Sequence, residues 1–515
     1  MANETTLAPA DQGDVIEFLE DGAFAAPVER IDTHAAVIFL TGDRALKMKR
    51  AVRFSFLDFT TLEARERALR AELELNRRTA PELYLGVLPV TRDEVGLTLD
   101  HPGEVVEWLL EMRRFPDDAL FDRIAARGEL TGERIDELAR MIADFHGAAP
   151  SRPDRGGYPA MKEVVDGNAV DLEASAGGVL PAAEVRALNE ATRAELEAHR
   201  ELLEARREGG RVRHCHGDLH LRNIVLWNGR ATLFDCIEFD EDFACIDVLY
   251  DLAFLLMDLI DRGLIAEAHR LLGGYNDRVV DDAGLALLPL FLSIRAAVRA
   301  KVVAFAAAVQ ADPAERRREA AEALRYLRLA LKALEPVPAR LIAIGGRSGT
   351  GKSSLAMALA PGLGATPGAV LLRSDVVRKR LFGREPHERL EESGYAPEVS
   401  DRVFRTIAER ARTLVRAGRT VIADAVYGRA EQRESLERVA RQEGVSFHGF
   451  WLEAPEPLLE TRVEGRSGDA SDATPAVVRM QRQIDPGSTA WDRVRSDRPL
   501  PGLMAEVREL IGLRD

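Results

Sequence analysis

The stretch Gly345-Gly346-Arg347-Ser348-Gly349-Thr350-Gly351-Lys352-Ser353-Ser354 is the point from which the rest of the chain can be read. A short apolar run, Leu341 to Ile344, leads into it, and a helix-forming segment, Leu355 to Ala360, follows. Strand, glycine-rich turn, Gly-Lys-Ser and helix in that order form the phosphate-binding loop pattern, with Gly346, four intervening residues, then Gly351, Lys352 and Ser353. The glycines allow the backbone to fold round a phosphate chain and turn several N–H groups inward, and the helix N-terminus adds partial positive charge. Residues 346 to 354 are therefore candidates for binding a nucleoside triphosphate, with Lys352 reaching the β- and γ-phosphates. The Ser353 hydroxyl is a candidate ligand of Mg²⁺.

The residues downstream say what kind of loop this is. Strand-like runs at about 341–344, 369–373, 420–424 and 447–453 alternate with helical patterns, the order of an α/β domain with a parallel sheet covered on both faces. Asp375 and Arg378 follow the second run three residues apart, so on the first turn of a helix they share a face. A carboxylate there can deprotonate a hydroxyl, and an arginine there can bind the acceptor. Asp424 ends the third run. Arg462 and Arg466, four apart on a helical segment, are spaced to clamp a transferring phosphoryl group. No arrangement typical of mechanical ATPases accompanies the loop. Ser374-Asp375 with Arg378 resembles the SD-x-x-R motif of the P-loop kinases that include polynucleotide kinase, zeta toxin and chloramphenicol phosphotransferase. The resemblance covers about 336–515. It implies Asp424 near the metal or substrate and lid arginines at Arg462 and Arg466.

A second constellation lies upstream in His216-Gly217-Asp218-Leu219-His220-Leu221-Arg222-Asn223. Ile224 to Trp227 reads as a strand, Asn228-Gly229 as a tight hairpin turn and Ala231 to Phe234 as the returning strand, which brings Asp235 back beside Asn223. An Asp, an Asn and a second Asp so arranged suit phosphoryl transfer: Asp218 takes the proton of an acceptor hydroxyl, while Asn223 and Asp235 hold Mg²⁺ against the phosphates. Residues from about Ile31 to Leu334 resemble the aminoglycoside phosphotransferase family, with its protein-kinase-like fold. The resemblance implies an ATP-anchoring lysine at Lys47, with Lys49 the competing choice on the same face of Ala45-Leu46-Lys47-Met48-Lys49. It implies a partner glutamate at Glu72, with Glu66 and Glu74 as alternatives. Asp247 and Asp251 match the family's structural acids, which brace the catalytic loop. No glycine-rich nucleotide loop precedes Lys47; Thr33-His34-Ala35-Ala36-Val37 occupies its place.

The bulk properties agree with a soluble, multidomain protein. The chain has 515 residues, too many for one core, and ordinary globular composition, 46% hydrophobic and 30% charged. There is no run of eighteen apolar residues, so no membrane span is expected. The opening MANETTLAPADQGD has neither a basic start nor an apolar core, so it does not read as a secretory signal. Three cysteines without paired spacing give neither a disulfide framework nor a zinc site, and point to a reducing cytoplasm. Net charge is −15; residues 336–515 carry 28 Lys and Arg against 25 Asp and Glu, or +3, which leaves −18 upstream. The acidic part is a poor non-specific binder of nucleic acid, whereas the Arg-rich part can take a phosphorylated or nucleic-acid substrate.

The expected organisation is an N-terminal extension, 1–30, and a two-lobed α+β kinase-like domain, 31–334, with a small β lobe and a helical lobe. A linker at 335–340, marked by Pro336 and Pro338, then joins an α/β P-loop kinase domain, 341–515. The whole resembles bacterial fusions of an aminoglycoside-phosphotransferase-like domain to a P-loop kinase or ATPase domain. The expected function is bifunctional, with ATP and Mg²⁺ at each site and a hydroxyl-bearing small molecule or nucleic-acid end as acceptor. The alternative is that one half, more readily the N-terminal one, is a pseudokinase or nucleotide-binding regulator of the other.

Overall fold

The computed structural model describes residues 12–54, 57–386, 388–465, 471–484 and 490–513. They group into two compact units, one of residues 1–163 with 200–258 and one of residues 164–199 with 259–515.

The first unit opens on α1 (Gly13–Glu17) and an antiparallel sheet of β1 (Val28–Asp32), β2 (Ala36–Thr41), β3 (Arg44–Lys49), β4 (Tyr84–Arg92), β5 (Leu97–Leu99) and β6 (Glu104–Arg113). Its spatial order is β1-β2-β3-β6-β4-β5. In β3, Leu46 and Met48 point into a core with Val37, Phe39, Val90 and Leu109, which sends Lys47 and Lys49 to the other face. The described part of the expected N-terminal extension, from residue 12 on, takes part in this lobe: β1 is paired along its length with β2, and Val15 and Leu19 are buried in the same core. Helix α2 (Leu62–Asn76), capped by Thr61 accepting from the Ala64 N–H, crosses the sheet. Among the helices that follow, α3 (Gly132–Ala148) and α4 (Val248–Asp261) flank β7 (Val212–His214), the hairpin β8 (Ile224–Trp227) and β9 (Arg230–Leu233), and β10 (Cys245–Asp247), which pairs with β7. Residues 182–208 form two helices, Ala182–Ala198 and Arg200–Glu208, because His199 leaves helical geometry and caps the first.

In the second unit, α5 (Ile265–Val279), α6 (Leu288–Val309) and α7 (Pro313–Ala333) precede β11 (Arg340–Gly346). A five-stranded, wholly parallel sheet runs β12 (Val370–Arg373), β13 (Val421–Asp424), β11, β14 (Ser446–Glu453), β15 (Asp492–Arg495). The fifth strand was not legible in the sequence: Asp492-Arg493-Val494-Arg495 is an edge strand that buries only Val494. The core beneath the sheet joins Ile342, Ile344, Ile422, Phe450 and Val494 to α8 (Lys352–Leu359) and a C-terminal helix, Leu500–Leu510. Strand β11 is central, and the chain leaves it between neighbours on either side, the crevice where open parallel sheets hold ligands. Among the described residues no helix is long and apolar enough to cross a membrane.

Candidate active sites

In the first unit the site forms where β3, α2 and the hairpin meet. The Lys47 Nζ lies 2.6 Å from Glu72 Oε1 and 2.7 Å from Asp235 Oδ1. Lys49 Nζ lies 2.6 Å from Glu72 Oε2 and 2.5 Å from Glu238 Oε1. The fully buried Glu72 thus gives one oxygen to each lysine, and of the two only Lys47 also reaches Asp235. Of the alternative glutamates, Glu66 pairs with Arg70 along the helix and Glu74 is exposed. Burial alone would strip the charge from Lys47, but the carboxylates of Asp235, Glu72 and Glu238 outweigh it and hold its pKa well above the usual lysine value. Burial likewise pushes Asp235 up, and Lys47 more than reverses it, so Asp235 stays below the ordinary carboxylate range.

The catalytic-loop candidates are fixed by their own hydrogen bonds. Asn228 and Gly229 both take positive φ, as a two-residue hairpin turn requires, and Ile224 faces Leu233 across the hairpin. The Phe234 N–H then donates to Asn223 O at 3.0 Å, which sets Asp235 next to Asn223. Asp235 itself has φ 58°, a left-handed conformation rare for a non-glycine residue, and its N–H donates to the Tyr84 hydroxyl. Asn223 Nδ2 donates to both the carbonyl and the Oδ2 of Asp218, each at 3.0 Å. His220 Nε2 lies 3.4 Å from the same Oδ2. Asp251 accepts the N–H groups of His216 and Gly217 and faces His146 Nε2 at 3.1 Å, while Asp247 holds Arg206 through two bonds of 2.7 Å. Two further residues here went unmarked by the motifs: Glu238, which pairs with Lys49, and Asp258, which accepts the Leu221 N–H.

The loop of the second unit has the shape its glycines allow. Gly346, Gly349 and Gly351 take φ of 135°, 86° and 87°. A Cβ on Gly346 would stand 2.6 Å from the Leu452 carbonyl oxygen, and one on Gly349 would stand 2.6 Å from that of Leu459. The loop is further held by Thr350 Oγ1 and Lys352 Nζ, which donate to Arg347 O at 2.8 and 3.0 Å, and by Ser348 N–H, which donates to Gln481 Oε1 at 2.7 Å. Ser354 sits on the exposed side of the first turn of α8. The register Ile344 to Asp424 between β11 and β13 puts Asp424 at the loop, and Ser353 Oγ donates to its Oδ2 at 2.5 Å. Arg373 Nε lies 3.8 Å from that oxygen.

Asp375 and Arg378 lie on a helix, α9 (Ser374–Leu381), but serve different surroundings. Asp375 is pushed up from its ordinary value first by burial and then by the charge of Asp424, with Ser471 and the cations Arg373 and Lys352 pulling the other way. Arg378 is buried against the following loop, donating to Gly394 O at 2.8 Å and Ser400 Oγ at 3.2 Å with its guanidinium over the Tyr395 ring. Arg462, on α10 (Glu456–Glu464), donates to Ser496 O at 2.9 Å and to Gly349 O at 3.5 Å, which places it against the phosphate-binding turn. Arg466 lies outside the described residues. Gln481 and Asp472 carry no motif that marks them, since their contacts span 77 to 133 residues of chain.

Fold and site together define the class: a kinase-like domain followed by a P-loop kinase domain. Residues 37–288 match the phosphotransferase enzyme family, and residues 341–485 match the AAA domain family. Over 473 residues the chain is 32% identical to the uncharacterized protein Rv2004c of Mycobacterium tuberculosis, covering 90% of each chain, and it belongs to that two-domain family. It is also 32% identical over 117 residues to an adenylyl-sulfate kinase of Myxococcus xanthus, covering 23% of this chain and 59% of that one. Among solved structures, a choline/ethanolamine kinase family protein from Mesorhizobium loti is 14% identical, covers 63% of this chain and 99% of its own, and gives a TM-score of 0.38. Residues 37–288 thus fall in a phosphotransferase family, and residues 341–485 carry the phosphate-binding loop within a match to the AAA domain family.

Proposed function

We propose that the chain is a bifunctional ATP-dependent phosphotransferase, each half moving the γ-phosphoryl group of ATP to an acceptor hydroxyl. The observation that carries this reading is that each half draws its own candidate phosphate-handling groups together, Lys47 with Glu72 and Asp235 in the first and Ser353 with Asp424 in the second. In the kinase-like domain, 31–334, Lys47 held by Glu72 contacts the phosphates and Asp218 takes the proton of the acceptor. In the P-loop domain, 341–515, beyond the linker 335–340, residues 346–354 cradle the phosphates. There Lys352 meets the β- and γ-phosphates, Asp375 takes the proton, and Arg378 lines the acceptor side. Arg462, held against the phosphate-binding turn, meets the transferring group, and Arg466 is assigned to act with it from its spacing in the sequence alone.

The donor sets suit a hard cation. Asn223 with Asp235, and Ser353 with Asp424, offer oxygen ligands of the kind Mg²⁺ takes, and these residues would hold it. Bound there, Mg²⁺ supplies charge neutralisation along the triphosphate. Asp235 is engaged by Lys47, and Asp424 by Ser353, so each carboxylate has a resident partner that holds its rotamer. The three cysteines are unpaired and buried, which fits the proposed cytoplasmic setting.

A screen with γ-labelled ATP against sugars, aminoglycosides, nucleosides and oligonucleotide 5′ ends tests the proposal. Each acceptor that is labelled should lose its label in either Asp218→Ala or Lys352→Ala, not in both, by ~10²–10⁴-fold. Full labelling of every acceptor by both variants removes the reading. One observation favours a second reading, in which the first unit only senses nucleotide. The β1–β2 turn is three residues long and is closed by Thr33 on Ala36, with no glycine to cover a triphosphate. Under that reading, Asp218→Ala changes nucleotide affinity or the activity of the other site and abolishes no labelling.

A further inference from the structure

Beside the phosphate-binding turn lies a cavity of about 470 Å³ that none of Lys352, Ser353, Asp375 and Asp424 lines. Its walls come from separate parts of the chain: Arg347 from the turn, Trp451 and Glu453 from β14, Arg482, and Arg493 and Arg495 from β15. The strand register explains how the last four strand residues meet. β14 and β15 run parallel with Trp451 beside Arg493 and Glu453 beside Arg495. Alternation therefore puts these four side chains on one face, while Leu452 and Val494 between them go to the core on the other. Arg482 is brought to the same place by its neighbour Gln481, whose Oε1 accepts the Ser348 N–H of the turn at 2.7 Å.

Four guanidinium groups and one carboxylate thus face a single cavity. Three of the arginines are braced by carboxylates: Arg493 by Glu453 at 2.9 Å, Arg495 by Asp497 at 2.6 Å and Arg482 by Glu456 at 2.5 Å. Asp497 and Glu456 do not line the cavity. A guanidinium has five N–H donors and a carboxylate engages two, so each pair orients a fork and leaves donors for a ligand. Arg347 has no carboxylate partner among the described residues. An edge strand such as β15 needs charge to resist pairing with another sheet, which accounts for Arg493 and Arg495. It does not account for two further arginines converging on the same space from the turn and from residue 482.

We propose that this cavity binds a phosphorylated small molecule, with its phosphomonoester group in the arginine forks and its body against Trp451. The planar guanidinium fork matches the geometry of phosphate oxygens, and a dianion is the charge that several such forks together favour. The size suits a small ligand, for which pockets run from roughly 300 to 1,000 Å³. The arginines converge on one cavity and do not form a basic track along the surface, which selects a small molecule over a nucleic-acid strand. Because Arg347 belongs to the turn as well as to the cavity, a ligand held here touches the turn without occupying its N–H groups. The inference stands on the cavity and its arginines, independently of any transfer chemistry at Asp375.

The test is calorimetric titration of the full-length protein with inorganic phosphate, glucose 6-phosphate, free glucose and a 5′-phosphorylated oligonucleotide. Mg²⁺ and a non-hydrolysable ATP analogue are present to fill the phosphate-binding turn. The expected result is saturable binding of inorganic phosphate, of glucose 6-phosphate or of both, and none of glucose. Affinity should fall at least ~10-fold in Arg482→Gln and in the double variant Arg493→Gln with Arg495→Gln. Arg493→Lys with Arg495→Lys, which keeps the charge and loses the fork, should recover only part of it. The double glutamine variant should bind the ATP analogue as the unaltered protein does, which also reports that it is folded. Binding of neither phosphate, equal binding by the glutamine variants, or equal binding of glucose overturns the inference. So does binding of the oligonucleotide with neither small phosphate. Failure of the ATP analogue to bind counts against residues 346–354 as a nucleotide site, and the phosphate titrations with their variants still decide the cavity.

Discussion

Glu72 has one carboxylate oxygen on Lys47 and the other on Lys49, and this fork separates two residues that strand alternation alone leaves equivalent. Lys47 also meets Asp235, so Lys47→Met is expected to lower the kcat/KM of the kinase-like site by ~10² or more. Lys49→Met leaves Glu238 and half of Glu72 buried without a cation and should lower unfolding free energy by about 3 kcal/mol. Steady-state kinetics and urea denaturation on both variants check the division; equal kinetic losses with equal stabilities contradict it. At this scale the sequence was informative where chemistry is packed into a short span. Asp218, Asn223 and Asp235 lie within eighteen residues and round one hairpin, and Gly346 to Ser354 are contiguous. Glu238 was not legible, because nothing distinguishes it from the other acids of residues 235–242 until Lys49, 189 positions away, is seen against it. Asp472 and Gln481 were hidden for the same reason.

Helices and strands were legible where burial imposes a pattern. β11, β13 and β14 are apolar runs because both faces of a parallel sheet are covered, and β3 alternates because only one of its faces meets the core. Where burial is slight the pattern fades, as in β15 with its single buried valine and in α1, five residues long, anchored by Val15. The phosphate-binding turn is an element whose conformation and packing both require glycine. Gly349 combines φ 86° with an approach to the Leu459 carbonyl that no Cβ permits. Gly349→Ala should therefore displace α10 from the turn and weaken ATP binding at this site by at least ~10-fold, an expected loss above 1.4 kcal/mol. Calorimetric titration with Mg·ATP measures it, and unchanged affinity would show that the turn tolerates what its packing forbids.

Across the whole molecule, the two compact units do not divide at the proline-marked segment 335–340. Helix α5 and the turn after it contact the P-loop domain, and nothing in the sequence marks this because the contacts join residues about a hundred positions apart. Arg410 makes a buried bidentate pair with Asp282 at 2.7 and 2.9 Å, Arg278 pairs with Glu385 at 2.6 Å, and His269 bonds Ala369 O at 2.8 Å. Asp282→Ala should cost about 3–5 kcal/mol by stranding Arg410, read as a lower urea midpoint. Nearby Asp277 is pushed from 3.8 up to about 6, chiefly by burial, against the opposing pull of Arg410, Arg380 and Arg373. Its folded-state value is raised, so the folded state binds the proton more tightly and ionisation opposes folding. That penalty is absent below the ordinary carboxylate value, grows as pH rises towards about 6 and is complete above it. Asp277→Asn should then stabilise the protein at pH 7.5 by up to about 3 kcal/mol, with the gain shrinking as the pH is lowered through 6 towards 4. A gain that grows on acidification contradicts this account.

Two independent sites of phosphoryl transfer in one chain are the central claim, and the most direct measurement is the rate of γ-phosphate loss from labelled ATP in four proteins. These are the unaltered chain, Asp218→Ala, Lys352→Ala and the double variant, each with the acceptors found in the screen. The account predicts that each single variant keeps the activity of the other site, that the two residual rates sum to the rate of the unaltered chain, and that the double variant turns over nothing above background. Abolition of all turnover by one single variant, or turnover surviving in the double variant, would contradict it.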